Sequence, residues 1–489
     1  MIKKILLINP PNAVEKDCIR RVVTPLGLMY LAAVAEKTGF VVKILDCVVE
    51  GFENVKTDGD YLTYGLNNDE IIERIREFGP DLVGITCIFS YLEKKVYDIC
   101  RLVKSVDKNI ITVSGGIHPS YKCETMLNEC KELDYIIMSE GEYRFLGLIN
   151  ELNNKKNFGD IDGIGYRING EVKCKPAHSK IGNLDELPLP ARHLIDLEKY
   201  IKINKPANPF SQRARSERIF TSRGCPFKCN FCVSTSYWGH VRFRSVENVI
   251  GELRILKEKY GIEEIQFSDD NMTINRQRAI DLFKGMKEFK FSWCTPAGIM
   301  LKTLDEEMVQ LMAESGCYQV TISPESGSQR VIDEIIKKPI DLKSIRPGVD
   351  LLHKYNISVH SNFIIGLPGE TREELMLTFD FAKSIDVDSA AFFIAVPYEG
   401  TKLYEECEAR GWLSKDNSQA DYKHSNIIIP VDAPEYVMPG DELIKLVDAK
   451  TTEFNEWSKQ KNPEAWNKKY KQFLEGNKEE SEKIMGRVV

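Results

Sequence analysis

Two long runs of alternating apolar strands and amphipathic helices limit the folds open to this chain more than any other feature. The predicted strands of the first run are Lys4–Asn9, Val41–Asp46, Leu82–Thr86, Ile110–Ser114 and Tyr135–Met138. Helical segments lie between them at Leu26–Lys37, Asp69–Phe78, Glu93–Val106 and Tyr121–Lys131. This alternation predicts an α/β fold with a doubly wound parallel sheet in the flavodoxin-like order.

The second run begins at Arg218 and contains six strand–helix units. Its predicted strands are Ile219–Ser222, Glu264–Ser268, Phe291–Thr295, Gln319–Ser323, Val359–Ile365 and Ala390–Val396. Eight such units close a full barrel, so six predict a partial (β/α)6 barrel. In both runs a ligand site is expected beyond the carboxyl ends of the strands.

The alternation breaks down between the two runs, from about residue 155 to residue 215. Asn169-Gly170 supplies the two positive φ angles of a type I′ turn, so residues 165–172 are predicted to form a hairpin. Two proline-containing stretches, 187–190 and 206–209, then mark an irregular connector. We therefore predict a Rossmann-like domain over residues 1–150, a linker with a hairpin over 151–215, a barrel over 216–413 and a small helical C-terminal region over 414–489.

Charge and apolar content narrow the class of protein. With 73 acidic and 66 basic side chains, the net charge of −7 gives no general attraction to nucleic acid, which we do not expect as a partner. No apolar run has the length of a transmembrane segment, and the one after Met1 is too short for a signal peptide. We therefore expect a cytoplasmic protein whose 13 cysteines are reduced and, for the most part, small buried hydrophobic residues.

Only three of these cysteines form a tight group in the sequence. Cys225, Cys229 and Cys232 lie directly after the first predicted barrel strand. Three thiolates on one loop can bind a 4Fe–4S cluster and leave its fourth iron open to a substrate or cofactor. A structural zinc site with His240 is the alternative, but such sites prefer two cysteine pairs, and only Cys229 and Cys232 have that spacing. The loop therefore predicts a catalytic iron–sulfur centre.

This Cys-x-x-x-Cys-x-x-Cys loop resembles that of the radical S-adenosylmethionine superfamily. The resemblance extends to three segments that follow later strands, Phe267–Asn271, Glu325–Arg330 and Phe363–Thr371. It implies that S-adenosylmethionine is cleaved at the open iron to a 5′-deoxyadenosyl radical. It also implies that five residues bind the cofactor: Asp269 and Asp270 near the methionyl group, Glu325 and Ser326 near the ribose or carboxylate, and Gly366 near the adenine.

Two roles remain open for Glu325. Because it closes the fourth barrel strand, its side chain is predicted to point into the barrel mouth and to position the adenosyl cofactor. The alternative is an ion pair with Arg330 on the following helix, which would only stabilise the fold.

The N-terminal run also resembles a known domain. Thr24–Ala33, Val113–Ser120 and Glu140–Glu142 are similar to the cobalamin-binding domain that precedes the barrel in many radical enzymes. The resemblance implies a corrinoid held by residues in the loops after the strands, namely Thr86, Ser90, Gly115, Gly116 and Glu140. The alternative is a doubly wound domain that has lost any ligand.

Histidine is missing where some cobalamin proteins supply it to cobalt. Those proteins carry Asp-x-His-x-x-Gly after the first strand, whereas residues 9–14 here contain no histidine. His118 is the only histidine in residues 1–150, and we interpret it as a surface or hydrogen-bonding residue. Cobalamin is therefore expected to bind without a protein histidine on cobalt.

Together the two resemblances predict a cobalamin-dependent radical methyltransferase acting on an unactivated carbon of a small molecule or lipid, with an electron donor such as ferredoxin or flavodoxin. An oxidative cyclase similar to the anaerobic chlorophyll E-ring cyclase is an alternative, because Trp238–Ser245 and Glu325–Arg330 resemble that subgroup too. A non-catalytic corrinoid or iron–sulfur binding protein is a further alternative. An RNA methylthiotransferase is disfavoured because no basic RNA-binding module is visible near the C-terminus.

Overall fold

The chain divides into two compact units. The computed structural model describes residues 1–467 except 17, 60, 155–156, 209, 414–439 and 465. The first unit comprises residues 1–16 and 22–203. The second is built from residue 204 onward, together with a short segment that ends at Arg21.

Parallel strands form the main sheet of the first unit. The strands of this unit are β1 (Lys4–Asn9), β2 (Asn12–Glu15), β3 (Val41–Asp46), β4 (Val55–Asp58), β5 (Tyr61–Tyr64), β6 (Leu82–Thr86), β7 (Ile111–Gly115), β8 (Tyr135–Ile137), β9 (Ile164–Ile168) and β10 (Glu171–Lys175). The parallel strands follow the order β3-β1-β6-β7-β8, which confirms the predicted flavodoxin-like sheet. Leu6, Ile8 and Val83 are fully buried, as expected for parallel strands covered on both faces.

Helices connect these strands close to the predicted positions. They are α1 (Leu26–Lys37), α2 (Cys47–Glu50), α3 (Asn68–Phe78), α4 (Glu93–Val106), α5 (Ile117–Glu129), α6 (Glu142–Asn153) and α7 (Leu197–Ile203). Asn67 caps α3 through a hydrogen bond from the Glu70 amide, and the Glu70 side chain accepts from the Asn67 amide in return. A small antiparallel sheet of β2, β5 and β4 has no counterpart in the sequence prediction.

The predicted hairpin forms, but it extends the first sheet instead of standing in a separate linker. β9 pairs antiparallel with β8, and β10 pairs with β9. Asn169 and Gly170 have φ angles of 52° and 84°, as the type I′ turn requires. Because the hairpin continues the sheet, the compact unit extends to residue 203 and not to residue 150. Cys123 in α5 forms a disulfide with Cys174 in β10, which corrects the expectation that all cysteines are reduced.

Six parallel strands form the main sheet of the second unit. The strands of this unit are β11 (Ser216–Ile219), β12 (Ser222–Arg223), β13 (Arg242–Phe243), β14 (Glu264–Phe267), β15 (Ser292–Thr295), β16 (Cys317–Glu325), β17 (Ser358–Ile365) and β18 (Ser389–Ile394). The six parallel strands follow the order β11-β14-β15-β16-β17-β18 in the described sheet. The short strands β12 and β13 pair with each other in a separate sheet. This arrangement confirms the predicted partial barrel. The first strand ends at Ile219, three residues before the predicted end at Ser222.

Helices follow the barrel strands, and the last of them covers the final strand. They are α8 (Ser234–Trp238), α9 (Val246–Tyr260), α10 (Arg276–Met286), α11 (Glu306–Glu314), α12 (Ile345–Lys354), α13 (Arg372–Ser384), α14 (Lys402–Ala409) and α15 (Gly440–Lys461). Phe454 of α15 is 1% exposed, and its ring centroid lies 6.1 Å from that of Phe392 in β18. Of the predicted C-terminal helical region, residues 414–439 and 468–489 lie outside the described residues. Among the helices described, none combines the length and apolar character needed to cross a membrane.

Candidate active site

A cavity of about 650 Å³ lies at the carboxyl ends of the barrel strands. Most of its wall is apolar, and the loops after β15, β16 and β18 contribute to it together with the cysteine loop. The side chains of greatest chemical interest in the wall are Cys225, Cys229, Cys232, Asp270, Glu325 and Lys338. The structure therefore brings together the three predicted cysteines and two of the predicted cofactor-binding carboxylates. It adds Lys338, which the sequence analysis did not identify.

The backbone of the loop that carries the cysteines is fixed by hydrogen bonds to other segments of the unit. The Asn230 amide donates to the Ile336 carbonyl at 3.1 Å, and the Asn230 carbonyl accepts from the Leu403 amide at 2.9 Å. Gly224, at the entrance to the loop, has a φ of 91°. A Cβ at this position would lie 3.1 Å from the His240 carbonyl, so the turn favours glycine. The thiols are thus presented from a backbone with defined contacts.

The three thiols fit an iron–sulfur cluster by their chemistry and their placement. All three line the same cavity and interact electrostatically with one another. Desolvation raises the pKa of Cys229 to about 12 and that of Cys232 to about 11, so without a metal both are neutral thiols. Within the described chain, no three acidic, histidine or cysteine side chains form a group that could hold a metal ion. A four-iron cluster is larger than one ion and bridges thiols that lie farther apart.

The two adjacent carboxylates after β14 point in different directions. Asp270 lines the cavity and accepts a hydrogen bond from Ser234 Oγ at 2.6 Å. Asp269 is buried outside the cavity lining and accepts from the hydroxyls of Thr221 and Ser222 at 2.7 and 2.5 Å. The structure therefore places Asp269 outside the cavity lining, and its predicted cofactor contact stays a prediction. Successive side chains along an extended segment point to opposite sides, and only one of this pair can face the cavity.

Glu325 faces the cavity and pairs with Lys338 instead of Arg330. Lys338 Nζ donates to Glu325 Oε1 and to the Ser323 carbonyl, each at 2.7 Å. Burial raises the pKa of Glu325, and the Lys338 ammonium works against that rise. Arg330 instead binds the carboxylate of Glu374, so the alternative pairing of Glu325 with Arg330 is wrong. The cavity wall thus carries one acidic and one basic group in contact.

Two other predicted cofactor residues lie away from the cavity. Ser326 is fully buried, and its Oγ accepts from the Ser328 amide at 3.1 Å. A Cβ on Gly366 would lie 2.5 Å from Leu443 of α15. The absence of a side chain therefore lets α15 pack at the position where adenine is predicted. Ser326 thus stabilises the turn after β16, and Gly366 provides space for α15. Their predicted cofactor contacts stay predictions.

The loop after β17 contains a buried carboxylate that the sequence analysis missed. Glu370 Oε2 accepts from the amides of Gly366 and Leu367 at 2.7 and 3.2 Å. Burial raises the pKa of Glu370 to about 7, and its Oε1 has no hydrogen-bond partner among the described residues. The available signal was a glutamate placed directly after Gly-Leu-Pro-Gly, in a segment already assigned to the site.

In the first unit, predicted corrinoid residues lie at the carboxyl ends of β6 and β7. Thr86 ends β6 and Gly115 ends β7. Gly116 has a φ of 122°, and a Cβ there would lie 2.6 Å from the Cys87 carbonyl, so glycine is needed where the two loops meet. Ser90 Oγ is buried without a hydrogen-bond partner in the described part of the chain. An unsatisfied hydroxyl at the ligand edge of the sheet fits a bound group that supplies the partner.

Two polar groups at this edge are already engaged by the protein. Glu140 is buried, and its Oε2 accepts from the Ile181 amide at 2.9 Å, so its carboxylate holds the chain where we predicted a corrinoid contact. His118 is buried as well, and its Nε2 lies 2.5 Å from Glu93 Oε2. It is therefore a hydrogen-bonding residue and not a surface one. This pairing favours cobalamin bound without a protein histidine on cobalt, which stays a prediction.

Two enzymes and one solved structure resemble this chain over most of its length. It is 37% identical to cytidylyl-2-hydroxyethylphosphonate methyltransferase of Streptomyces wedmorensis, over 93% of this chain and 90% of that protein. It is 26% identical to anaerobic magnesium-protoporphyrin IX monomethyl ester cyclase of Rubrivivax gelatinosus, over 79% and 68% of the two chains. The radical S-adenosylmethionine methyltransferase TsrM from Kitasatospora setae, solved with cobalamin and a 4Fe–4S cluster bound, has the same fold with a TM-score of 0.66 at 18% identity. That alignment covers 84% of this chain and 75% of TsrM.

Two family matches coincide with the two candidate sites. Residues 16–149 match the B12 binding domain, and residues 219–382 match the Radical SAM superfamily. The first range contains Ser90 and Gly116, and the second contains the cysteine loop. A 4Fe–4S cluster, S-adenosylmethionine and cobalamin are the cofactors of such proteins. The similar proteins are enzymes, so the alternative of a non-catalytic binding module is set aside. The chain therefore belongs to the Radical SAM superfamily, among the enzymes that carry an N-terminal B12 binding domain.

Proposed function

We propose that this enzyme transfers a methyl group to an unactivated carbon of a small molecule. The observation that carries the proposal is the cavity of about 650 Å³, with three thiols in one wall and mostly apolar side chains in the rest. Its volume lies within the range of small-molecule sites. It provides space beside the cysteine loop for S-adenosylmethionine and for a substrate.

Charged groups in the wall are placed to orient the adenosyl cofactor. When bound, the cluster and S-adenosylmethionine supply radical chemistry, and cobalamin supplies the methyl group. In this proposal Glu325 binds the ammonium or ribose hydroxyls of S-adenosylmethionine, and Lys338 binds its carboxylate. Glu325 has a φ of 72°, which is uncommon outside glycine, and such strained backbone is concentrated at functional sites. This conformation supports a binding role for Glu325.

Methyl transfer is the proposed outcome in preference to oxidative cyclisation. Both outcomes use the same cofactors, so the choice between them depends on the relatives. The methyltransferase relative is the more similar of the two and matches nearly its full length, whereas the cyclase matches about two thirds of its own. These proportions support methyl transfer.

The proposed substrate carries an anionic group. The other charged side chains that line the cavity already have partners within the chain. Lys302 lines the cavity, and its side chain forms no hydrogen bond or ion pair with any described residue. An unpaired ammonium at the wall can bind a phosphate, phosphonate or carboxylate of the substrate. The name of the methyltransferase relative specifies a cytidylyl phosphonate substrate, which supports the same class here.

A one-electron donor and a cytoplasmic location complete the proposal. Reductive cleavage of S-adenosylmethionine consumes an electron, which reduced ferredoxin or flavodoxin would supply. Most of the described cysteines are free thiols, as expected in a reducing compartment.

Anaerobic turnover with S-adenosylmethionine labelled in its methyl group with deuterium tests the function. Cytidylyl-2-hydroxyethylphosphonate is the first probe, followed by a panel of small phosphonates, phosphates and carboxylates. We expect a product that carries one trideuteromethyl group, and we expect Lys302→Ala to raise KM while Lys302→Arg preserves it. A ring-forming, dehydrogenated product without label would instead support a cyclase. Equal KM values for all three enzymes would contradict the role of Lys302.

A further inference from the structure

We infer that Asp269 and Asp270 are positioning residues that clamp the two ends of the cysteine loop. They follow β14 as neighbours in the sequence, but their carboxylates hold different parts of the chain. Asp269 binds the segment that enters the loop, and Asp270 binds the segment that leaves it. The strand β14 thereby fixes the loop with a single dipeptide.

The contacts at the entrance are made by Asp269. Its carboxylate is 2% exposed and accepts from the Thr221 amide at 3.1 Å, the Thr221 hydroxyl at 2.7 Å and the Ser222 hydroxyl at 2.5 Å. Thr221 and Ser222 are themselves 0% and 1% exposed. Ser222 precedes Cys225 by three residues, so these bonds fix where the loop begins.

The contacts at the exit are made by Asp270. It accepts from Ser234 Oγ at 2.6 Å. Ser234 is buried, begins α8 and follows Cys232 by two residues. Asp270 therefore holds the segment that leaves the loop, through the first residue of α8. Hydrogen bonds to an ionised carboxylate are stronger than those between neutral groups, which suits a clamp on a short loop.

The same strand carries a matched control. Glu264 begins β14, is fully buried and accepts from the Ser211 hydroxyl at 2.8 Å and the Gln212 amide at 2.7 Å. Glu264 and Asp269 are thus both buried carboxylates that hold backbone and hydroxyl donors, at opposite ends of one strand. If both carboxylates only stabilise the fold, substituting either one should have similar effects on the cysteine loop. If Asp269 clamps the loop, only its substitution should loosen the loop.

Hydrogen exchange of the full chain, measured without metal and after iron–sulfur reconstitution, tests the clamp. Asp269→Asn should speed exchange of the 221–224 amides by about tenfold or more, the range expected on losing a hydrogen bond to a charged group. Ser222→Ala and Ser234→Ala remove a donor and leave both carboxylates in place. They should speed exchange at the entrance and at the exit of the loop respectively, by smaller factors. Glu264→Gln should leave the 221–234 amides unchanged.

The reconstituted variants supply a second measurement that fold stability alone does not move. Asp269→Asn and Ser234→Ala should shift the electron paramagnetic resonance spectrum and the reduction potential of the cluster, whereas Glu264→Gln should reproduce the parent. The clamp is refuted if loop exchange in Asp269→Asn matches the parent, or if Glu264→Gln speeds it equally. The metal-free measurement is independent of the reaction catalysed, so its failure is distinct from failure of the proposed function.

Discussion

The two candidate sites both lie beyond the carboxyl ends of parallel strands, yet they use different parts of the chain. The barrel site presents ionisable side chains: three thiols, Asp270 and the Glu325–Lys338 pair. The sheet of the first unit presents backbone and small residues, with Gly116 set against Cys87 and one unpartnered hydroxyl at Ser90. A 4Fe–4S cluster and S-adenosylmethionine need soft ligands and charged side chains. A corrin ring instead needs an extended surface with space above it.

This difference predicts how the two sites respond to substitution. Buried charges in the barrel are costly to leave unpaired, so single changes there should have large effects that depend on pH. A surface built from backbone contacts should respond weakly to loss of any one side chain.

The largest effect is expected from the cysteine loop. Replacing Cys225, Cys229 and Cys232 together with Ala should abolish iron binding and formation of 5′-deoxyadenosine, because no cluster ligand remains. Corrinoid binding by the first unit should persist, as measured by its visible spectrum. Cys317→Ala, which removes a buried thiol of the same unit, is the control and should retain iron. A triple variant that still formed 5′-deoxyadenosine would overturn the cluster assignment.

The next effect concerns the Glu325–Lys338 pair. Lys338→Met leaves Glu325 buried without its cation, which should lower the free energy of unfolding by about 3–5 kcal/mol. The double variant Glu325→Gln/Lys338→Met should recover much of that loss, because the uncompensated charge is gone. Denaturant unfolding measures stability, and equilibrium binding measures affinity for S-adenosylmethionine. Affinity should stay weak in both variants; parent-like binding by the double variant would show that the pair only stabilises the fold.

The same contrast governs what could be foreseen from the sequence. The alternation of apolar and amphipathic segments was sufficient to predict the five parallel strands of the first sheet and the six of the barrel. A buried parallel strand needs a continuous apolar run, which is visible in the sequence. The cysteines were identifiable because their spacing alone implies a shared ligand. Lys338 was not, because only the folded β16–α12 connection brings it back to Glu325, 13 residues earlier.

The predicted site residues that lie outside the cavity lining share a physical explanation. Motif position indicates which loop reaches the site, but not which side of that loop a side chain occupies. Asp269 and Ser326 are adjacent to cavity residues and face the other way. Gly366 was matched to adenine, yet a helix from more than 70 residues later fills the space beside it. Contacts between distant segments of this kind leave no local trace in the sequence.

A pH effect is expected from Glu370, whose pKa is raised by burial from 4.5 to about 7. The folded chain then keeps a proton that the unfolded chain releases near pH 4.5. The resulting stability is complete below that pH, declines as the pH rises and is lost above about pH 7, a change of about 3 kcal/mol. Glu370→Gln stays neutral and should flatten this decline, as measured by denaturant unfolding across the window. Glu373→Gln, at an exposed neighbour, should keep the parent's slope.

The smallest effect is expected at the edge of the first sheet. Ser90 Oγ is buried and lacks a partner in the described chain, so Ser90→Ala should leave stability unchanged or raise it slightly. If cobalamin supplies the missing partner, the same change should weaken corrinoid binding by up to about tenfold, the value of one neutral hydrogen bond. Ser114→Ala is the matched control, because Ser114 Oγ already donates to the Ile85 carbonyl at 3.1 Å.

The two serines separate a corrinoid site from a sheet that has lost its ligand. Ser114→Ala should lower the stability of the fold and leave corrinoid affinity unchanged. Ser90→Ala should weaken corrinoid binding and leave stability unchanged or slightly higher. Titration with hydroxocobalamin measures affinity, and electron paramagnetic resonance of the cob(II)alamin state should show no imidazole nitrogen on cobalt, since Glu93 holds His118. An axial nitrogen signal that disappeared in His118→Ala would contradict that coordination. Failure of the parent chain to bind any corrinoid would favour the domain without a ligand, and the unsatisfied hydroxyl of Ser90 would then be a simple defect in packing.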